Sequence, residues 1–151
     1  MIIKSLDHLK LTSNKIADKV SKNDCIFLIG EIGVGKTTFT RNFINYLQKK
    51  NKIKQTEILS PTFNLLYEYE IKNLKVMHYD LYRIKKIKEL DELGIFKENF
   101  DSIKIIEWPE LVETKINNRL EIYLSYSDKD HERKMSFLGH GKWKDYDENE
   151  L

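Results

Sequence analysis

Between Cys25 and Leu47 the chain passes from an unbroken apolar run, "CIFLI", through a glycine-rich octet, "GEIGVGKT", into an amphipathic stretch. That succession restricts the fold more than any other feature of the 151 residues. An apolar run without alternation is the pattern of a strand buried on both faces, as in a parallel sheet covered by helices. From Lys36 onward, Phe39, Phe43, Ile44 and Leu47 recur at helical spacing and mark one face of a helix. The octet between them, Gly30 to Thr37, fits G-x-x-x-x-G-K-[ST] in full. Glycines let successive backbone N–H groups turn into one concavity, and the following helix adds its positive end. The expected ligand is a nucleoside triphosphate. Gly33, Val34 and Gly35 would wrap the phosphates, Lys36 would reach the β- and γ-phosphates, and Thr37 would take one Mg²⁺ position. Thr38 is assigned to the α-phosphate side.

The rest of the chain fits around that unit. "MIIKSL" reads as a short strand, and "TSNKIADKVSK" as a short helix with cap-type residues at Thr12 and Ser13. "FNLLYEYEI" and "LKVMHYDLYRI" read as strands joined by a turn at "KN". "IKELDEL" is a short helix stopped by Gly94, and "SIKIIEW" a second buried strand, with Pro109 opening a turn. "RLEIYLSY" and "RKMSFLG" complete the strands. The expected fold class is α/β and P-loop NTPase-like: a central, mostly parallel sheet with flanking helices and additional antiparallel strands. Residues 1–140 would form one domain and 141–151 a loose polar tail.

A triphosphate site needs a carboxylate for its cation, expected at the end of another buried strand. Glu107 follows Ile103, Ile105 and Ile106 and would emerge at the carboxyl edge of the sheet. Asp80 sits in an aromatic strand, where it could position the attacking water or order the site. Either acid alone reads equally well as an ordinary strand-end side chain. Two acids beside one metal would both stay ionised. In "SPTF", Thr62 could sense a γ-phosphate as switch loops do, or belong to a plain proline turn. Trp108 could cover the site, stack on a partner, or pack in the core. His78 reads as strand packing rather than as a ligand.

Composition excludes several classes. With 26 basic against 24 acidic residues the net charge is only +2, far from a nucleic-acid-binding balance. Cys25 is the single cysteine, so no internal disulfide or cysteine cluster forms, and its apolar run makes it a core residue. No apolar run approaches the ~18 residues of a membrane span, and no signal-peptide core is visible at the N-terminus. The expected location is the cytoplasm.

"GEIGVGKTTFTRNF", "SPTFNLLYEY", "HYDLYRI", "ELGI" and "IIEWPE", in that order and spacing, resemble the TsaE (YjeE) family. The resemblance covers about Cys25 to Glu113. It implies a small bacterial ATPase that binds ATP and Mg²⁺ and hydrolyses ATP slowly alone. It further implies action with the TsaD–TsaB pair, which transfers a threonylcarbamoyl group to the adenosine next to the anticodon of transfer RNAs reading codons that start with A. The nucleotide cycle would permit turnover of that pair, with transfer RNA contacted indirectly or weakly and no membrane involved. By resemblance, Lys36, Asp80 and Glu107 are catalytic, Thr37 and Glu107 hold the metal, and Trp108 lies near the nucleotide or the partner. Thr12, His131 and Arg133 are looser nucleotide-contact candidates. Glu31 stands where the family usually has Asp, and Val34 where Ala is common; neither change removes a phosphate-facing amide.

Three other functions use the same phosphate loop. A GTPase would carry N-K-x-D after the loop, whereas "NKIA" precedes it and "NKIK" lacks the acid. A small P-loop kinase would need an arginine-bearing lid, but Arg41, Arg83, Arg119 and Arg133 are scattered. A nucleotide-gated binding module with incidental hydrolysis uses the same residues and stays open.

Overall fold

A computed structural model of the chain describes residues 1–97, 101–112 and 116–147. In chain order the elements are β1 (Ile2–Ile3), α1 (Leu6–Lys19), β2 (Cys25–Ile29), α2 (Lys36–Lys50), β3 (Leu66–Ile71), β4 (Leu74–Asp80), α3 (Ile87–Glu92), β5 (Ser102–Glu107), β6 (Arg119–Tyr126) and β7 (Arg133–His140). One seven-stranded sheet has the order β1-β7-β6-β2-β5-β4-β3. The four inner strands β6, β2, β5 and β4 run parallel, and antiparallel strands close both edges. The α/β class is therefore as expected, with the parallel part confined to the middle.

Pleating divides the core between the two faces of the sheet. Ile26 and Leu28 of β2 and Ile103 and Ile105 of β5 point into a layer with Phe39, Phe43, Ile44 and Leu47 of α2 and Ile16 and Ala17 of α1. Cys25 and Phe27 of β2 and Ile106 of β5 face the other way, toward Tyr79, Leu90 and Ile95. Burial on both faces is why the central strands read as unbroken apolar runs.

Three local expectations change. Helix α1 begins a full turn and more before Thr12. Its N-cap is Ser5, whose hydroxyl accepts the His8 N–H at 3.1 Å, and Asp7 lies in the positive first turn. Thr12 and Ser13 are buried mid-helix residues, on the same face as Leu9, Ile16 and Ala17. Strand β4 ends at Asp80 instead of running on, because the Asp80 carboxylate accepts the Tyr82 N–H at 3.0 Å and the Leu81 N–H turns to the Glu107 carbonyl. The expected tail is partly core: Gly141–Trp143 form a 3-10 turn, Trp143 is only 5% exposed, and its ring stacks edge-on with Tyr146. Positions 148–151 of that tail lie outside the described residues.

Candidate functional site at the carboxyl edge of the parallel strands

The loop from β2 to α2 is held by geometry that only glycine meets at Gly30. A Cβ there would lie 2.2 Å from the Leu124 carbonyl oxygen, and φ is +149°. On the β6 side, the Tyr126 hydroxyl donates to the Ile32 carbonyl at 2.9 Å and ties the loop to the sheet. Gly35, at φ +121°, then turns the backbone into the first turn of α2. A helix N-terminus with free N–H groups faces the concavity, a ready anion site.

Parallel register delivers the acids. Leu28 of β2 is level with Glu107 of β5, and Glu107 is level with Asp80 of β4. Both carboxylates therefore surface beside the loop, at the strand ends where open α/β sheets bind ligands. The Thr37 hydroxyl donates to Glu107 Oε2 at 3.1 Å, across 70 residues of chain. The other carboxylate oxygen, Oε1, is 2.8 Å from Nε2 of His78. Asp80 accepts from Thr62 Oγ1 at 2.8 Å, and Thr62 bonds Ser60 at 2.8 Å, so the "SPTF" loop is fastened to the acid.

Lys36 is buried, and its ammonium donates to the carbonyls of Gly30 and Glu31 at 2.6 and 2.8 Å. It also lies 3.9 Å from the centre of the Trp108 ring. Burial pulls its proton affinity below the ordinary lysine value, while the charges of Glu107, Asp80 and Glu110 oppose that fall. Trp108 has φ +59°, a strained conformation for a bulky residue and one that gathers at functional sites. Its ring packs on Tyr82 with centroids 4.9 Å apart.

These groups enclose a cavity of about 250 Å³, lined by Gly33, Gly35, Lys36, Thr37, Thr38, Thr62, Asp80, Glu107 and Trp108 together with Ile32, Ser60 and Tyr82. Val34 is buried behind the loop. Thr12, His131 and Arg133 do not line the cavity: Thr12 faces the core, His131 is exposed in the β6–β7 turn, and Arg133 lies over Tyr126 at 4.6 Å. Ser60, Tyr82 and His78 were not named as site residues from sequence. The signal for His78 was its H-x-D spacing to Asp80, which on a strand puts both side chains on one face.

The donor set suits a hard divalent cation shared with phosphate. Thr37 and Glu107 offer converging oxygens, the ligand type of Mg²⁺, which usually takes one or two protein ligands plus phosphates and water. No group of three or more His, Cys, Asp or Glu that could hold a metal occurs among the described residues.

Fold and loop together define a P-loop-like α/β protein. A family model described as threonylcarbamoyl adenosine biosynthesis protein TsaE matches residues 3–135, and the chain belongs to that TsaE family. Among its relatives, the tRNA threonylcarbamoyladenosine biosynthesis protein TsaE of Rickettsia conorii is 38% identical over 111 residues, 74% of this chain and 61% of the relative. The protein of the same name from Rickettsia bellii is 35% identical over 130 residues, 85% of this chain and 88% of the relative. For four of the Rickettsia relatives the match spans only 61–65% of their length. The crystal structure of YdiB from Bacillus subtilis superposes with a TM-score of 0.70 at 25% identity, covering 94% of this chain and 85% of that one. No helix among the described residues is long and apolar enough to cross a membrane.

Proposed function

We propose that the chain is a cytoplasmic, Mg²⁺-dependent ATPase of threonylcarbamoyladenosine synthesis, acting on the TsaD–TsaB pair to permit its turnover on transfer RNA. One observation carries the reading: loop amides, Lys36, Thr37 and Glu107 converge on one cavity, with the Thr37 hydroxyl 3.1 Å from the Glu107 carboxylate. When bound there, Mg²⁺ supplies charge neutralisation for the β- and γ-phosphate oxygens. The loop amides orient the phosphates, and Lys36 exchanges two neutral carbonyl partners for phosphate oxygens. Asp80, held by Thr62 and by the Tyr82 N–H, is the acid available to orient an attacking water. Trp108 and Tyr82 wall the cavity and limit access of bulk water. The absence of N-K-x-D after the loop favours ATP over GTP.

The partner reading draws on the rim of the site. Ile32 is 72% exposed, Phe63 82% and Tyr82 48%, large apolar side chains in or beside the cavity's rim. Apolar surface concentrated at one place is the signature of a protein interface. The near-balanced charge favours contact with transfer RNA that is indirect or weak.

Single-turnover ATP hydrolysis with and without TsaD–TsaB tests the proposal, which expects acceleration by the pair. A second reading, a nucleotide-gated binding module, is favoured by the Ser60–Thr62–Asp80 chain that links a loop to the site. Unchanged hydrolysis on adding the pair, with binding that still depends on nucleotide, would select it.

A further inference from the structure

We propose that His78 is a positioning residue for Glu107: its ring fixes the carboxylate so that Oε2 stays turned toward Thr37 and the phosphate loop. The proposal rests on the reading of Thr37 and Glu107 as the oxygen donors of the cation site.

His78 is 0% exposed, two residues before Asp80 on the same face of β4, and reaches diagonally to Glu107 on the neighbouring strand. Glu107 is itself 2% exposed, and its two oxygens are divided between two elements. Oε1 is held by β4 through His78, and Oε2 by the first turn of α2 through Thr37. Without the ring, Oε1 would be a buried acceptor with no partner among the described residues, and the carboxylate would be free to turn away from the loop.

The ring's other nitrogen identifies its role. Nδ1 is buried and has no hydrogen-bond partner among the described residues. A proton on Nδ1 would bury an unsatisfied N–H and set the bare Nε2 lone pair against a carboxylate oxygen. A proton on Nε2 removes both penalties, so Nε2–H donates to Oε1 at 2.8 Å. Among the described residues, the only polar contact of the ring is therefore with Glu107. A histidine present for packing alone has no need to aim its single donor at a buried acid. Outer-shell partners of this kind orient a metal's ligands, and their loss typically lowers metal affinity about 10- to 100-fold.

The test compares His78→Leu with His78→Gln, whose terminal amide can donate from nearly the same place. Mn²⁺ binding to the ADP complex is titrated by electron paramagnetic resonance, beside ADP affinity without metal. His78→Leu should weaken Mn²⁺ binding about 10- to 100-fold and leave metal-free ADP affinity unchanged; His78→Gln should restore most of the loss. In metal-free protein, ¹⁵N spectra of the ring should show the proton on Nε2, with a resonance that moves in Glu107→Gln. If the Leu variant fails to fold, the Gln variant and the ring tautomer decide. Equal loss in both variants, unchanged Mn²⁺ affinity in His78→Leu, or a ring protonated on Nδ1 and bare at Nε2 overturns the proposal alone. Wild-type protein that binds ADP but no Mn²⁺ overturns the cation-site reading and the proposal with it.

Discussion

Lys36 shows how much a single side chain carries. Its ammonium is buried against two peptide carbonyls and the Trp108 ring, a weaker set of partners than phosphate oxygens. Lys36→Ala should therefore weaken ATP binding by about 2–3 kcal/mol, about 30- to 150-fold. Titration calorimetry would read this, and an affinity within threefold of the parent protein would count against the loop as the triphosphate site. Burial also fixes the sign of a pH effect. The folded protein holds the Lys36 proton less tightly than an ordinary lysine, so the cation is lost at a lower pH as the solution is made alkaline. ATP affinity should fall on that alkaline side, and the fall should be absent in Lys36→Ala. The Cys25 thiol illustrates the opposite case: burial pushes its ionisation up, out of reach at neutral pH. It should resist iodoacetamide until the protein is unfolded. That Lys36, Thr37 and Glu107 would line one cavity could be read from sequence, because loop motif and strand-end position are local signals. The bond from His78 to Glu107 could not, because the two lie 29 residues apart on different strands, and register is a tertiary property.

At the scale of elements, the strand–loop–helix unit was legible because burial on both faces and a helical apolar stripe are both written in local spacing. Helix α1 was half legible. Two adjacent cap-type residues, Thr12 and Ser13, competed with Ser5, and the buried face that runs from Leu9 to Ala17 decides for the earlier start. Ser5→Ala should lower stability by about 1 kcal/mol, whereas Thr12→Ala removes no cap. Gly30 is the harsher case, since any Cβ meets the Leu124 carbonyl oxygen at 2.2 Å and backbone cannot move aside cheaply. Gly30→Ala should lower unfolding free energy by about 2–4 kcal/mol, measured by denaturant titration. A loss below about 0.5 kcal/mol would mean that the loop seats differently against β6.

Trp143 and Tyr146 fold the end of the described chain back onto the core, which polar composition alone did not reveal because two aromatics three residues apart are easily lost among charged neighbours. With that end packed, the conspicuous exposed apolar residues near the site are Ile32, Phe63 and Tyr82. Phe63 follows Thr62, whose hydroxyl is bonded to Asp80, so a change at the phosphate end can be transmitted to the rim through one hydrogen bond and one peptide unit. Rim residues that only close the cavity would, when altered, disturb ATP binding. Rim residues that meet a partner would leave ATP binding intact and disturb association. Phe63→Asp places a charge on surface that an interface would have to dehydrate, which weakens docking, while the folded monomer loses only the contact of an exposed ring with the Arg83 guanidinium, 5.3 Å from its centre. The expected outcome is tenfold or greater loss of TsaD–TsaB capture in the presence of ATP, with ATP affinity within twofold of the parent. Capture measured with ATP, with ADP and without nucleotide separates the cases: loss of ATP affinity with capture preserved would make the rim a lid and move the partner surface elsewhere on the fold.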